Sequence, residues 1–275
     1  MGTEPDAEAE PGAFYDWDGE RYMPTMATVS PWNAGSQHGG PPSALLATIL
    51  DEAFGGPEVR LAHLTVDFLR PIPRRPLTVA AQMLRPGRRV RLSEATLTVA
   101  GETEVVVIAR AWHVGTGRSP ETPDGLGPKP TPVPEAQEQR YFFGLTEWGY
   151  GEAIEWRFVE GGYGAPGPAA VWTRLRIPLL ADRPLTGLQR LLTVADSANG
   201  LSSPLPFQEW LFVPTAIAIT LERHPETEWT YLDARTHIGP DGLGLTRAGL
   251  ADERGRLGVA VQNLYVAARG RTESA

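Results

Sequence analysis

Residues 39–54 read GGPPSALLATILDEAF, and how this stretch folds decides the architecture. Apolar or small residues recur at Leu45, Leu46, Ile49, Leu50 and Ala53, a helical period. Pro41 and Pro42 suit a helical first turn, where the amide has no intrahelical partner in any case. Four runs rich in β-branched residues follow: LAHLTVDFL, PLTVAAQML, VRLSEATLTVA and EVVVIARAWHV. They often alternate and are split by Pro-Ile-Pro, Pro-Gly and Ala-Gly, so they read as successive antiparallel strands. One helix followed by an antiparallel meander is an α+β plan.

The rest of the chain repeats that plan. Thr186 and Gln189 form a T-x-x-Q capping box ahead of GLQRLLTVADSANG, which closes on Asn199-Gly200. The runs TAIAITLER, EWTYLDARTHI, LTRAGLADE and LGVAVQNLYV come next. Setting TVDFLRP on AITLERH pairs Arg70 with Arg223, a shift of 153 that also sets Ala95 on Ala248 and Trp112 on Tyr265. TILDEA and TVADSA pair Asp51 with Asp196, so helices over residues 44–53 and 188–198 are expected to be equivalent. A single such sheet would wrap its helix and leave an edge open, whereas two copies can pair edge to edge. The expected organisation is a tail over residues 1–12, a first domain over 13–114, a Pro-rich linker over 115–139 and a second domain over 140–270. AIEWRFVE and AAVWTRLRI should begin the second domain.

Composition removes several classes of function. The formal net charge of −8 argues against a general nucleic-acid binder, which needs a surplus of Lys and Arg. There is no cysteine, hence no disulfide, zinc thiolate or thiol nucleophile. No apolar run approaches the roughly 20 residues of a membrane span, and the acidic start lacks a signal-peptide pattern. A cytoplasmic protein with no membrane partner is expected. Residues 200–204, GLSSP, miss G-x-S-x-G at the last glycine, and the single Lys at 129 rules out a G-x-x-x-x-G-K phosphate loop. Residues 162–167, GYGAPG, satisfy G-x-G-x-x-G, but the extended-looking AAVWTRLRI follows in place of a helix. The five histidines are scattered without an H-x-x-x-H pair, so neither a metal nor a cofactor is expected.

Two places carry possible chemistry. His38-Gly39-Gly40 stands immediately before a helix, where free amides favour negative charge and glycines admit close approach. An oxyanion would be held there, though a flexible turn feeding a helix is the plainer explanation. Asp196 falls on the stripe of Leu188 and Leu192, and a carboxylate on a buried stripe is costly unless paired or employed. Its plainer explanation is a last-turn aspartate tipped to solvent. Gln262 interrupts the apolar strand VAVQNLYV where the first half has Ala109; an outward-facing edge glutamine is the competing reading.

At these residues the sequence resembles the double-hotdog acyl-CoA thioesterases of the thioesterase II type. The resemblance rests on HGGPPSALLA, LTVDFLRPIPRRPLTV, LQRLLTVADSANG and AVQNLYV, and runs from about residue 15 to residue 267. It implies two fused hotdog domains, each a long helix wrapped by an antiparallel sheet. It also implies hydrolysis of acyl-CoA to free acid and CoA. In that family an aspartate, a glutamine and a threonine or serine of the second half position the attacking water. The first two map onto Asp196 and Gln262; the third falls at Pro214, with Thr215 one residue later. His38, Gly39 and Gly40 would bind the substrate carbonyl. Arg85, Arg88 and Arg89 are candidates for the CoA phosphates, a solvated turn being the plainer alternative. A homo-oligomer, a dimer, is the expected assembly. The alternatives are a non-catalytic acyl-binding hotdog protein and a hotdog dehydratase or hydratase using His38 with Asp196.

Overall fold

The computed structural model describes residues 11–120, 127, 129–141, 145 and 148–269. The strands are β1 (Tyr15–Trp17), β2 (Tyr22–Pro24), β3 (Val59–Phe68), β4 (Leu77–Arg85), β5 (Val90–Val99) and β6 (Val105–Gly115), then β7 (Ile154–Glu160), β8 (Ala169–Leu175), β9 (Trp210–Leu221), β10 (Thr230–Ile238), β11 (Leu243–Asp252) and β12 (Gly255–Ala268). The helices are α1 (Gly40–Phe54), α2 (Gly149–Glu152), α3 (Gly187–Ala195) and α4 (Ala198–Leu201). All twelve strands form one sheet in the order β1-β2-β4-β5-β6-β3-β9-β12-β11-β10-β8-β7. This is a double hotdog. The shift of 153 read from sequence carries β4 onto β10 and β5 onto β11 end for end.

The halves meet where β3 pairs antiparallel with β9. There Leu64 lies opposite Ile219 and Val66 opposite Ile217, all four buried. Burying such a side chain is worth about 1.5–3 kcal/mol, so these pairs fix both the junction and its register. Behind them α1 and α3 touch closely. A Cβ on Gly40 would lie 2.0 Å from the Thr193 carbonyl oxygen, so only glycine permits this crossing.

The capping box of Thr186 and Gln189 forms as the sequence predicts, with both reciprocal hydrogen bonds. The second helix does not run unbroken to Ala198, however. It stops at Ala195, and α4 begins after the turn at Asp196-Ser197. The cause lies across the sheet. The Gln262 Oε1 accepts the Asn199 backbone N–H at 3.1 Å, and its Nε2 donates to the Asp196 carbonyl at 3.1 Å. Those two backbone groups would otherwise serve the helix ladder, and the side chain of Gln262 replaces their partners.

The expected tail falls mostly on residues 1–10, and part of the expected linker on residues 121–126 and 128; both lie outside the described residues. Residues 129–139 carry no helix or strand and lie along the edge strand β7. Gln137 exchanges hydrogen bonds with the backbone of Phe158, and Gln139 accepts from Trp156 N–H and donates to its carbonyl. The side chains thus blunt a sheet edge that would otherwise be open. Residues 162–167 form the β7–β8 hairpin loop, followed by a strand and not by a helix. Among the described residues no helix is long and apolar enough to cross a membrane.

Candidate active site

The loop before α1 is built firmly. The Gln37 and His38 amides donate to Ile72 and Thr28 carbonyls, each at 2.7 Å. The Gln37 side chain accepts from Tyr15 at 2.7 Å and donates to the Pro73 carbonyl at 2.8 Å. The α1 N-terminus then offers few free donors, because Pro41 and Pro42 have none. The Gly40 amide donates to His38 Nδ1 at 3.0 Å, and the Gly39 amide lies beside the Asp196 carboxylate and favours its charged form.

Asp196 stands at the break between α3 and α4, 4% exposed, so it is not tipped to solvent. Gln262 Nε2 donates to its Oδ1 at 2.9 Å. Gln262 sits on β12, between β9 and β11, and faces the interior at 1% exposure; it is not an edge residue. Its amide is oriented unambiguously, since the oxygen takes Asn199 N–H and the nitrogen serves Asp196. Burial pushes the Asp196 carboxyl up to about 7, against the opposing pull of the Gln262 hydrogen bond and the Gly39 amide. A carboxyl that titrates near neutrality is matched to the work of a general base.

His38 is buried and lies flat on Tyr150, ring centroids 3.9 Å apart at 11°. Burial holds its imidazole down to about 3, so the ring is neutral at ordinary pH. Because Nδ1 accepts from Gly40, the proton resides on Nε2. Nδ1 is 3.6 Å from Asp196 Oδ2, too long for a hydrogen bond, and with a neutral ring the contact is not an ion pair.

Asp196, Gln262, His38 and Gly39 therefore converge from both halves, and Gly40 supports them through His38. Thr215 does not join them. It is the bulged residue between the pairs Asn263–Ala216 and Leu264–Pro214, is exposed, and accepts from the exposed Asn263 amide. The residue is still among those lining the cavity, but its hydroxyl is bound elsewhere. The bulge turns its hydroxyl to the opposite side of the sheet from Gln262. Arg85, Arg88 and Arg89 are also elsewhere. Their turn leans on the far end of α1, where Arg91 donates to the Phe54 carbonyl, roughly 20 Å along the helix from Gly39.

Sequence reading missed Tyr150 and the scaffold role of Asn199. Tyr150 donates to the Thr193 carbonyl at 2.8 Å, lies 2.7 Å from Ser197 Oγ, and backs His38; it comes from a stretch without clear periodicity. Asn199 Nδ2 donates to the Phe212 carbonyl at 2.8 Å, so the residue read as a helix stop also ties the α4 turn to β9. The second half-site is different. Asp51 is half-exposed, its β6 counterpart to Gln262 is Ala109, and the α3 N-terminus is closed by its own capping box.

A cavity of about 430 Å³ opens over the converged residues, lined by Asp196, His38, Gly39, Asn199 and apolar groups including Phe68 and Ile72. Leu69, Arg70 and Tyr265 stand at its exposed side. No group of three or more His, Asp or Glu side chains suited to a metal ion occurs among the described residues.

Comparison with known proteins gives two family matches: the acyl-CoA thioesterase N-terminal domain over residues 28–114 and the acyl-CoA thioesterase C-terminal domain over residues 120–266. No curated protein sequence matches significantly. Several solved structures share the fold. A hot dog fold protein of Alicyclobacillus acidocaldarius is similar at 20% identity and TM-score 0.67, covering 94% of this chain and 96% of its own. The tesB protein of Mycobacterium avium subspecies paratuberculosis is similar at 16% identity and TM-score 0.64, covering 92% and 95%. Acyl-CoA thioesterase II of Mycobacterium marinum is similar at 16% identity and TM-score 0.62, covering 90% and 98%.

Proposed function

This chain belongs to the acyl-CoA thioesterase family and is a hydrolase, and on that premise we propose that Asp196 activates the water that cleaves an acyl-CoA thioester. One observation carries the reading: the buried Asp196 carboxyl, pushed up to about 7 by burial, lines the cavity beside the N-cap amide of a helix from the other half. The Gly39 amide is engaged by Asp196 before substrate arrives. A thioester carbonyl entering the cavity would take that N–H from the carboxylate. Asp196 would thereby lose the amide that favours its charged form and become more basic, while Gln262 keeps hold of Oδ1.

In the reaction that follows, Asp196 takes a proton from water as the oxygen attacks the carbonyl carbon. The tetrahedral oxyanion rests on the Gly39 N–H, a contribution of about 3–4 kcal/mol for a well-aimed donor. Collapse breaks the carbon–sulfur bond. The thiolate of CoA receives the proton from Asp196, leaving free acid, thiol and a regenerated carboxylate. No covalent enzyme intermediate is required.

The test is release of free CoA thiol from a panel of acyl-CoA esters by the wild type and by Asp196→Asn. Loss of turnover in a folded variant supports the base; undiminished turnover ends the assignment. The 3.6 Å approach of His38 to Asp196 supports a second reading, a dehydratase. It requires loss of water from 3-hydroxyacyl-CoA without thiol release, which enoyl-CoA absorbance with a 3-hydroxyacyl-CoA substrate detects. A homodimer remains part of the proposal. Exposed Leu243, Leu245, Val261 and Tyr265 share the outer face of β11 and β12, and light scattering measures the assembly.

A further inference from the structure

A thioester bound with its carbonyl at Gly39 and Asp196 sends two arms away from that point. The thiol arm leaves through the exposed side at Leu69, Arg70 and Tyr265. The acyl arm must run inward, where the cavity ends on Trp32, His38 and Asn199. Behind these three lies a hollow of only about 10 Å³, which they share with Trp148, Tyr163 and Gly200. Tyr163 and Gly200 in turn line a further cavity of about 430 Å³, whose walls include Leu205, Phe207 and Phe212. The three spaces lie end to end, and the middle one is at the size limit for a single water, about 10–15 Å³. It admits no chain of methylenes.

Trp32 is what fills the passage. Its ring packs 4.6 Å from Phe207 and 4.9 Å from Phe212, centroid to centroid, so the indole stands against two walls of the far cavity. The Arg269 guanidinium lies 5.0 Å from the Trp32 ring and 4.6 Å from that of Phe207, clamping the stack. Trp32 itself belongs to a loop outside any helix or strand, held by its amide donating to Ser30 Oγ at 3.2 Å.

We propose that Trp32 is the partition that limits acyl length, so that this protein takes short-chain acyl thioesters and the far cavity is sealed from the reacting carbon. The inference rests on the placement of the carbonyl at Asp196 and Gly39, but not on Asp196 acting as a base. Its test is therefore a binding measurement. Non-hydrolysable alkyl-CoA thioethers of increasing length are titrated calorimetrically into the wild type, Trp32→Ala, Leu205→Trp and the double variant.

In the wild type, affinity rises over the first few methylenes and then stops. In Trp32→Ala it continues to rise past that point, by roughly fourfold per further methylene buried. Leu205→Trp, which fills the far cavity, leaves short-chain binding unchanged and abolishes the extension when combined with Trp32→Ala. If the alanine variant loses its native circular dichroism, Trp32→Leu keeps an apolar group in the loop and gives the same extension to a smaller degree. A wild type whose affinity keeps rising with length overturns the partition. So does an extension that survives in the double variant. Because no proton is transferred, failure of the general-base assignment leaves these outcomes readable.

Discussion

The carboxylate of Asp196 and the backbone amide of Gly39 come from opposite halves of the chain and lie against each other, the amide favouring the charged carboxylate. Their proximity is tight enough that a Cβ on Gly39 would lie 2.6 Å from Asp196 Oδ2. A buried carboxylate therefore occupies the place where a helix start favours negative charge. The donor for an oxyanion and the base for a water are held in reserve on one another.

Asp196→Asn is expected to lower kcat by about 10² or more while the fold persists. Asp51→Asn should change it far less, because Asp51 is half-exposed and lies 3.8 Å from His113, with no glutamine donating to it. Steady-state thiol release from both variants checks this, and equal losses would mean two working sites.

Gly39→Ala should destabilise the protein by about 1–3 kcal/mol, since the added methyl meets Asp196 and, at 2.8 Å, the ring of Phe68. Activity should fall with stability, because the same methyl fills the space of the carbonyl. Denaturant unfolding together with turnover at saturating substrate separates the two effects.

Gln262→Leu removes the partner of Asn199 N–H, Asp196 C=O and Asp196 Oδ1 together. Leaving buried polar groups unpaired costs about 1–3 kcal/mol each, so a marked drop in melting temperature is expected. Loss of a hydrogen bond to the charged form also moves the Asp196 titration upward, read as a shift of the acid limb of kcat/KM to higher pH. Thr215→Val, by contrast, should leave turnover nearly unchanged, because its hydroxyl answers Asn263 on the outer face.

The pH dependence has a definite sign. A base must be unprotonated to work, so kcat/KM should fall about tenfold per unit below about 7 and level off above it. Stability responds differently. Between the ordinary aspartate range and about 7, the folded chain holds a proton on Asp196 that the unfolded chain has lost, so this group makes stability fall as pH rises. His38, held down to about 3, is neutral in the fold and charged when unfolded below its ordinary value, so it makes stability rise with pH over nearly the same window. The two slopes oppose each other. His38→Asn, which keeps an acceptor for the Gly40 amide, should lose stability between pH 4 and 7 more steeply than the wild type, as measured by unfolding at several pH values.

The fold was written locally and twice. Helical period in residues 39–54 and the Thr186–Gln189 capping box depend on neighbours a few positions apart, and with the repeat at a shift of 153 they sufficed for two helix-and-meander units. The apolar stripe raised a buried Asp196 for the same reason, against a last-turn aspartate tipped to solvent, and the structure decided between them. Periodicity and spacing did not show which groups meet that carboxylate; only the family resemblance pointed to Gln262. Gln262 is 66 residues away, and its amide both breaks the helix at Asp196 and orients the side chain. The bulge beside Pro214 turned Thr215 out of the site, which no spacing along the strand could reveal. Trp32 meets Phe207 and Phe212 only because β3 and β9 join the halves into one sheet. Short-range pattern fixes which elements form, because helix and strand periods are local. Which of the candidate residues converge was decided by the tertiary structure, because hydrogen bonds and cavities depend on how distant segments pack.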